Sequence, residues 1–333
     1  MLRWGILGTS FISETMARAI LADPASSIQA VAGRRQEAID TFADNFAVPR
    51  KYNNYKELIQ DPQVDIVYIA LPNHLHHEYI FACVSAKKHI LCEKSLSVDM
   101  EKTQSIVDAV KDSEVFFIEG LMYLQHPLMM KLVELLENKI VGDVKTVSGQ
   151  YCADIAEFVN PDSKGAIYNL GCYPVSLLHL VLQMSYGSDV WSDFDLTGFG
   201  SISKKDGNIC EASMHLRLPN GVVAMLHTDE TFGMSSEFVV VGDKGSLRFV
   251  TNPWLPEELS TIEITTLEGE RQQIDVTAEG DAFSYQIKHI REAIEAGEQK
   301  IERPAARLQD SFEVMSILSR WEDSIWRDLN SKS

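Results

Sequence analysis

The chain has 333 residues, 45% of them hydrophobic and 23% charged, the make-up of a folded chain long enough for two domains. Acidic side chains number 48 against 30 basic ones, and the formal charge of −18 repels polyanions, so neither nucleic acid nor an anionic membrane is expected as a partner. The five cysteines, at 83, 92, 152, 172 and 210, form no C-x-x-C pair, which points to reduced thiols in the cytoplasm and to neither a disulfide framework nor a zinc site.

The chain opens with "MLRWGILG", a strand pattern and not a secretion signal, and no apolar run reaches the ~20 residues of a membrane helix. Leu2 to Leu7 reads as a strand, Gly8-Thr9-Ser10 as a turn, and Phe11 to Leu21 as a helix with Ile12, Met16, Ala19 and Ile20 on one side. Ile28 to Ala32 is a second strand. Gln36 to Phe46 is helical and stops before Val48-Pro49. A short helix is expected at Tyr55 to Ile59, a continuous apolar strand at Asp65 to Leu71, a helix at Glu78 to Ala86 and a strand at His89 to Cys92. Met100 to Lys111 is helical and Val115 to Ile118 is another strand. Continuously apolar strands that alternate with helices predict a doubly wound α/β domain with a parallel sheet over residues 1–120.

The pattern changes over residues 121–333. A helix at Pro127 to Asn138, an alternating strand at Val144 to Cys152 and a helix within Ile167 to Leu182 are followed by strand patterns at 194–202, 209–218, 221–229, 236–241 and 246–250. Asn220-Gly221 is a hairpin signal, and helices at about 281–296 and 304–328 close the chain. This predicts an α+β domain with a large, mostly antiparallel, open-faced sheet.

In a doubly wound sheet the ligand lies at the carboxyl ends of the strands. The first such turn is Gly8-Thr9-Ser10-Phe11-Ile12-Ser13. Against G-x-G-x-x-G only the first glycine is present, but Ser10 and Ser13 are small, and the helix beginning near Phe11 offers free amides to a phosphate. At the end of the second strand, where an acid would bind the ribose 2′-hydroxyl, stand Gly33-Arg34-Arg35. Paired guanidinium groups suit a 2′-phosphate, so NADP is expected ahead of NAD.

Four stretches, "WGILGTSFIS", "YIALPNHLHHEYI", "HILCEKSLS" and "GAIYNLGCYPVSLLHL", together resemble the glucose–fructose oxidoreductase, inositol dehydrogenase and MocA family of NAD(P)-dependent oxidoreductases, in its dihydrodiol and aldose dehydrogenase-like branch. The resemblance implies a Rossmann domain followed by the open-faced sheet domain, with homodimer or homotetramer assembly through that sheet. It places the family's E-K-P motif on Glu93-Lys94-Ser95, with the lysine near the nicotinamide. It adds Leu71, Pro72, Asn73 and His76 as cofactor contacts. The family's helix motif falls on Asn169 and Tyr173, where Asn169 stands in place of the usual aspartate. Ser95 likewise replaces proline.

Hydride transfer at an alcohol carbon also requires a proton to leave or join the oxygen. Lys94 and Tyr173 are the expected proton-handling pair. Asn169, which cannot exchange a proton, would orient a hydroxyl. The expected activity is an NAD(P)-dependent dehydrogenase or reductase acting on a sugar, polyol or cyclic diol. The rival is a dinucleotide-binding regulator or scaffold with lost catalysis. His74-Leu75-His76-His77-Glu78 lacks the H-E-x-x-H order, so no metal site is expected. His126, before Pro127, is a further candidate for positioning substrate.

Overall fold

The computed structural model describes residues 1–331. The chain divides into two compact units. The first joins Met1–Gln125 to Ala282–Phe312, and the second joins His126–Asp281 to Glu313–Ser333.

In the first unit the strands β1 (Leu2–Leu7), β2 (Ser26–Ala32), β3 (Arg50–Tyr52), β4 (Ile66–Ile69), β5 (His89–Cys92) and β6 (Phe117–Glu119) form one sheet in the order β3-β2-β1-β4-β5-β6. Every pairing is parallel. The helices between them are α1 (Phe11–Ala22), α2 (Gln36–Phe46), α3 (Tyr55–Ile59), α4 (His76–Ser85) and α5 (Met100–Lys111). The four residues of β4, Ile-Val-Tyr-Ile, are all buried, as a parallel strand covered on both faces must be. The order reverses between β1 and β4, so the carboxyl ends of those strands open the crevice expected for a ligand. Helix α2 ends on Ala47 in the left-handed region, just ahead of Pro49.

The expected break at residue 120 leaves out a return of the chain. Helix α8 (Ala282–Glu295) buries Ala282, Gln286, Ile287 and Ile290 along one face, and Ile287 and Ile290 join the core formed by β1, β2 and α1. Arg291 Nε holds Asp23 Oδ2 at 2.9 Å, tying the helix to the end of α1. An amphipathic helix so late in the chain gives no local sign of the sheet it will cover.

The second unit holds an eight-stranded sheet in the order β14-β13-β12-β11-β7-β10-β9-β8. Its strands are β7 (Val144–Ala153), β8 (Asp195–Ile202), β9 (Ile209–Arg217), β10 (Val223–Asp229), β11 (Met234–Gly242), β12 (Gly245–Phe249), β13 (Leu259–Thr266) and β14 (Arg271–Thr277). Only β7 and β10 pair in parallel. Strands β13 and β14 are not expected from the sequence; for β14 the reason is that "RQQIDVT" is largely exposed on an edge strand and carries little apolar signal. Helices α6 (Pro127–Glu137), α7 (Cys172–Tyr186) and α9 (Leu308–Ser331) complete the description.

One face of this sheet is buried by Ala212, Met214, Leu216, Ala224, Leu226, Phe238, Val240 and Leu247. The other is open. Phe199, paired with Ser213, Met225, paired with His215, and Val241, which shares the side of Val239, project from it at 52%, 37% and 39% exposure. A shallow groove of about 290 Å³ on this face is lined by Ser148, His215, Met225, His227 and Glu237 among others.

Candidate active site

The turn after β1 is built around Gly8. Its φ of +111° suits glycine, and a Cβ there would stand 2.5 Å from the Ala70 carbonyl oxygen at the end of β4. Ser10 caps α1 with extended backbone but no side-chain bond to it, so the first amides of the helix lack an intrahelical acceptor. The Ser10 and Ser13 hydroxyls lie 3.3 Å apart. Phe11 is exposed and Ile12 half-buried, and neither lines the cavity that Gly8, Thr9 and Ser10 border. A cavity of about 540 Å³ opens here, lined by Gly8, Thr9, Ser10, Arg34, Arg35, Tyr55, Leu71 and Pro72. Arg34 and Arg35 are exposed, and among the described residues neither is paired with a carboxylate. Burial pushes the Tyr55 phenol up while the adjacent Arg34 draws it back. The chemistry of this set, free helix amides beside two uncommitted guanidinium groups, fits the phosphates of a dinucleotide.

The turn after β5 carries Glu93 and Lys94, both half-buried. The Tyr68 hydroxyl donates to Glu93 Oε1 at 2.6 Å, and the Lys94 amide donates to Glu93 Oε2 at 3.3 Å. Burial raises the Glu93 carboxyl, with Tyr68 and Lys94 opposing that rise. The Lys94–Ser95 peptide is cis. Ser95 is buried and its carbonyl meets His76.

His76 is wholly buried. Its Nε2 lies 2.8 Å from the Leu71 carbonyl oxygen, and its Nδ1 lies 3.0 Å from that of Ser95 and 3.3 Å from that of Leu96. Burial pushes the imidazole down to about 4, so the ring is neutral at pH 7 and has one N–H to donate. Both nitrogens already face backbone, which leaves this side chain no edge for a cofactor. With one N–H it donates to one side only, either the Leu71 carbonyl or those of the Lys94 turn, and its enclosed ring packs between the two. Asn73, at 5% exposure, and Leu71 are also nearly enclosed, whereas Pro72 is half-open.

In the second unit Asn169 lies in a π turn, Ile167–Gly171, that leads into α7, where Tyr173 is the second residue. The wider π turn replaces the α-helical spacing on which a shared i, i+4 face depends. Asn169 Nδ2 donates to Glu230 Oε2 at 2.8 Å. Burial raises the Glu230 carboxyl, and this amide bond lowers it in part. The Tyr173 ring meets Tyr151 edge-on at 5.1 Å, and Tyr151 in turn packs on Trp254 at 5.0 Å. His126 is buried and caps α6, with Nδ1 accepting from the Leu128 amide at 3.2 Å, which turns its Nε2 proton toward the Gly280 carbonyl at 3.4 Å. His126 therefore serves a helix end, and the substrate-positioning role expected of it is not where its ring points.

Three groups escaped the sequence reading: Tyr68, Glu119 and Glu230. Tyr68 was hidden in an apolar run, "IVYI". Glu119 carried the clearest available signal, a lone acid on the end of a buried strand, "FFIEG". Glu230 follows β10 by one residue and is 61 positions from Asn169, beyond any local pattern.

A family model described as oxidoreductase family, NAD-binding Rossmann fold, matches residues 2–121, and one described as the GFO/IDH/MocA C-terminal domain matches residues 129–248. The chain is 26% identical over 330 residues to a trans-1,2-dihydrobenzene-1,2-diol dehydrogenase of Xenopus tropicalis, covering 95% of this chain and 96% of the relative. Among solved structures it is similar to a 3-ketoreductase from Actinomadura kijaniata in complex with NADP and TDP-benzene, with a TM-score of 0.86, 21% identity and coverage of 97% and 98% of the two chains. It is also similar to a levoglucosan dehydrogenase in complex with NADH and levoglucosan, with a TM-score of 0.81, 20% identity and coverage of 98% and 97%.

Proposed function

The chain belongs to the Gfo/Idh/MocA family of oxidoreductases, and on that premise we propose that it is an NADP-preferring dehydrogenase or reductase acting on the hydroxyl or carbonyl carbon of a sugar, polyol or cyclic diol. The observation that carries the cofactor preference is the pair Arg34 and Arg35, exposed on the wall of the crevice and uncommitted to any carboxylate. Forked guanidinium donors match a 2′-phosphate, and no acid stands at the end of β2 to favour a bare 2′-hydroxyl. The dihydrodiol dehydrogenase and sugar oxidoreductases to which the chain is similar support the substrate class. The regulator reading has no such support.

The nicotinamide, when bound, supplies or accepts the hydride. The protein's share is to bind, orient and move a proton. The free amides at the start of α1 and Gly8's close backbone bind phosphate. Lys94, on the turn after β5 of the first unit, is assigned the ammonium that stabilises negative charge on a substrate oxygen. Tyr173, in α7 of the second unit, is assigned the phenol that exchanges the substrate's proton. Asn169, whose amide nitrogen is bound to Glu230, is assigned to positioning the substrate. The open face of the eight-stranded sheet, with Phe199, Met225 and Val241 exposed in register, is proposed as the surface on which two copies of the chain pair.

The test is a titration with NADP(H) and NAD(H), followed by turnover on a panel of aldoses, polyols and trans-dihydrodiols. Tighter NADP binding and turnover of at least one class are expected. Binding without turnover on any class would overturn the catalytic reading.

A further inference from the structure

The dinucleotide crevice opens between β1 and β4, whereas the parallel sheet ends at β6. At that edge strand lies a second cavity, of about 630 Å³. It shares no residue with the crevice and belongs wholly to the first unit.

Three segments build it. Helix α5 contributes Gln104, Val107, Asp108 and Lys111, the i, i+3, i+4, i+7 spacing of one helix stripe. The edge strand contributes Phe117, with Val115 just ahead of it, and both are nearly enclosed. The third segment is the stretch before α9, which covers β6: the Phe117 amide reaches the Gln299 carbonyl at 3.5 Å. This stretch is tied down at its far end. Arg303 Nε donates to Asp310 Oδ2 at 3.2 Å, and the Arg307 carbonyl accepts from the Ser311 amide at 2.9 Å as α9 begins.

The lining has two chemistries. One part is apolar, made by the valines at 107, 110 and 115 with Phe117, Leu308 and Phe312. The other is cationic, made by Lys111, Lys300 and Arg307, and the start of the 24-residue α9 adds the positive end of its dipole. The acid in the lining, Asp108, already accepts from Gln104 Nε2 at 2.8 Å. Outside the lining a single carboxylate, Glu302, serves two of the cations, at 3.3 Å from Arg307 and 3.6 Å from Lys300. It is 74% exposed, so water weakens both pairs. Among the described residues Lys111 pairs with no carboxylate. Three cations against one acid reverse, locally, the sign of a chain whose formal charge is −18.

We propose that this cavity binds a small amphiphilic carboxylate, an alkyl or aryl acid, with its apolar body on the valines and phenylalanines and its carboxylate held by Arg307 and Lys300. A bare inorganic anion would leave the apolar lining wet, and a neutral hydrocarbon would leave the cations unmatched. A guanidinium fork fits a planar carboxylate, and the volume lies within the roughly 300–1,000 Å³ of small-molecule sites. The inference does not rest on the reaction proposed above.

Decanoate is the probe. Calorimetric titration of the full chain, with saturating NADP(H) to fill the crevice, should show decanoate binding. Decylamine, the same chain with a cationic head, should bind at least about tenfold more weakly. Lys300→Glu and Arg307→Glu should each weaken decanoate about tenfold or more and leave NADP(H) affinity unchanged. The Lys300 side chain is 54% exposed, so its variant keeps the fold even where Arg307→Glu does not. Methyl NMR of valine- and leucine-labelled protein should show decanoate shifting Val107, Val115 and Leu308. No binding at millimolar decanoate, decylamine binding as tightly as decanoate, a folded variant that binds decanoate like the parent, or shifts confined to other methyls would each overturn the proposal. If the dinucleotide reading alone is wrong, NADP(H) fails to bind but the decanoate shifts remain.

Discussion

In the first unit the Lys94 turn is held by backbone: the His76 ring against three carbonyls, the Lys94 amide on its neighbour's carboxylate, and the Gly120 amide on Cys92. In the second unit the Asn169–Tyr173 segment is held by side chains: an amide on the Glu230 carboxylate and a tyrosine edge on Tyr151. Backbone-held geometry survives a change such as serine for proline at 95, since the carbonyl that His76 meets belongs to any residue. Side-chain-held geometry depends on a partner far away in sequence. The first region therefore tolerates substitution in the turn but not of His76, and the second is sensitive at either partner.

Substitution of His76 should have the largest effect. His76→Leu leaves buried carbonyls of Leu71 or Ser95 without a donor and should cost about 3 kcal/mol in urea unfolding, with a fall in kcat larger than the change in NADP affinity. The pH dependence of stability has a sign. The imidazole is held below its usual 6.5, so its contribution is full above 6.5 and is lost as pH falls toward 4. His76→Leu should not show that loss. A loss of less than about 0.5 kcal/mol, on the scale of an ordinary surface change, would contradict the hydrogen-bonded His76 ring.

Glu119→Gln gives the opposite trend. The carboxyl rises from 4.5 to about 7 on folding, so the parent's stability is intact below 4.5 and declines as pH rises through 7, by up to about 3 kcal/mol. The variant should lack this decline, so the stability difference between the two proteins changes from pH 5 to pH 8. Parallel pH–stability curves would contradict the buried, unligated carboxyl.

Asn169→Leu removes the amide that Glu230 relies on. About 1–3 kcal/mol should be lost, and more at pH 8 than at pH 5, because the Glu230 carboxyl is already raised and would rise further. An equal loss at both pH values would show that the contact is packing alone. The smallest effect on folding is expected on the open sheet face. Met225→Lys should leave thermal unfolding of the monomer within about 0.5 kcal/mol and shift the sedimentation coefficient toward one copy. An unchanged association state would move the dimer surface elsewhere.

The doubly wound unit was largely legible because its strands are buried on both faces and its helices amphipathic, so period and turn residues mark nearly every element. Helix α2 was placed residue for residue. What escaped was what depends on distance along the chain: the return of α8 to the first core, the edge strand β14 with its neighbour β13, and the partner of Asn169. At the site the positions of Gly8, Arg34, Arg35 and Lys94 at strand ends followed from topology. The inward turn of His76 did not, because "NHLHHE" holds two half-buried histidines, His74 and His77, beside it and carries no sign of which ring is enclosed.

The central claim, that the exit of β5 presents a catalytic ammonium on a dinucleotide-binding unit, is tested most directly by Lys94→Ala measured for both binding and turnover. Loss of the group should reduce kcat by about 10²–10⁴-fold, with NADP(H) affinity changed by only a few-fold. Near-normal turnover in a folded, NADP-binding Lys94→Ala protein would contradict the account.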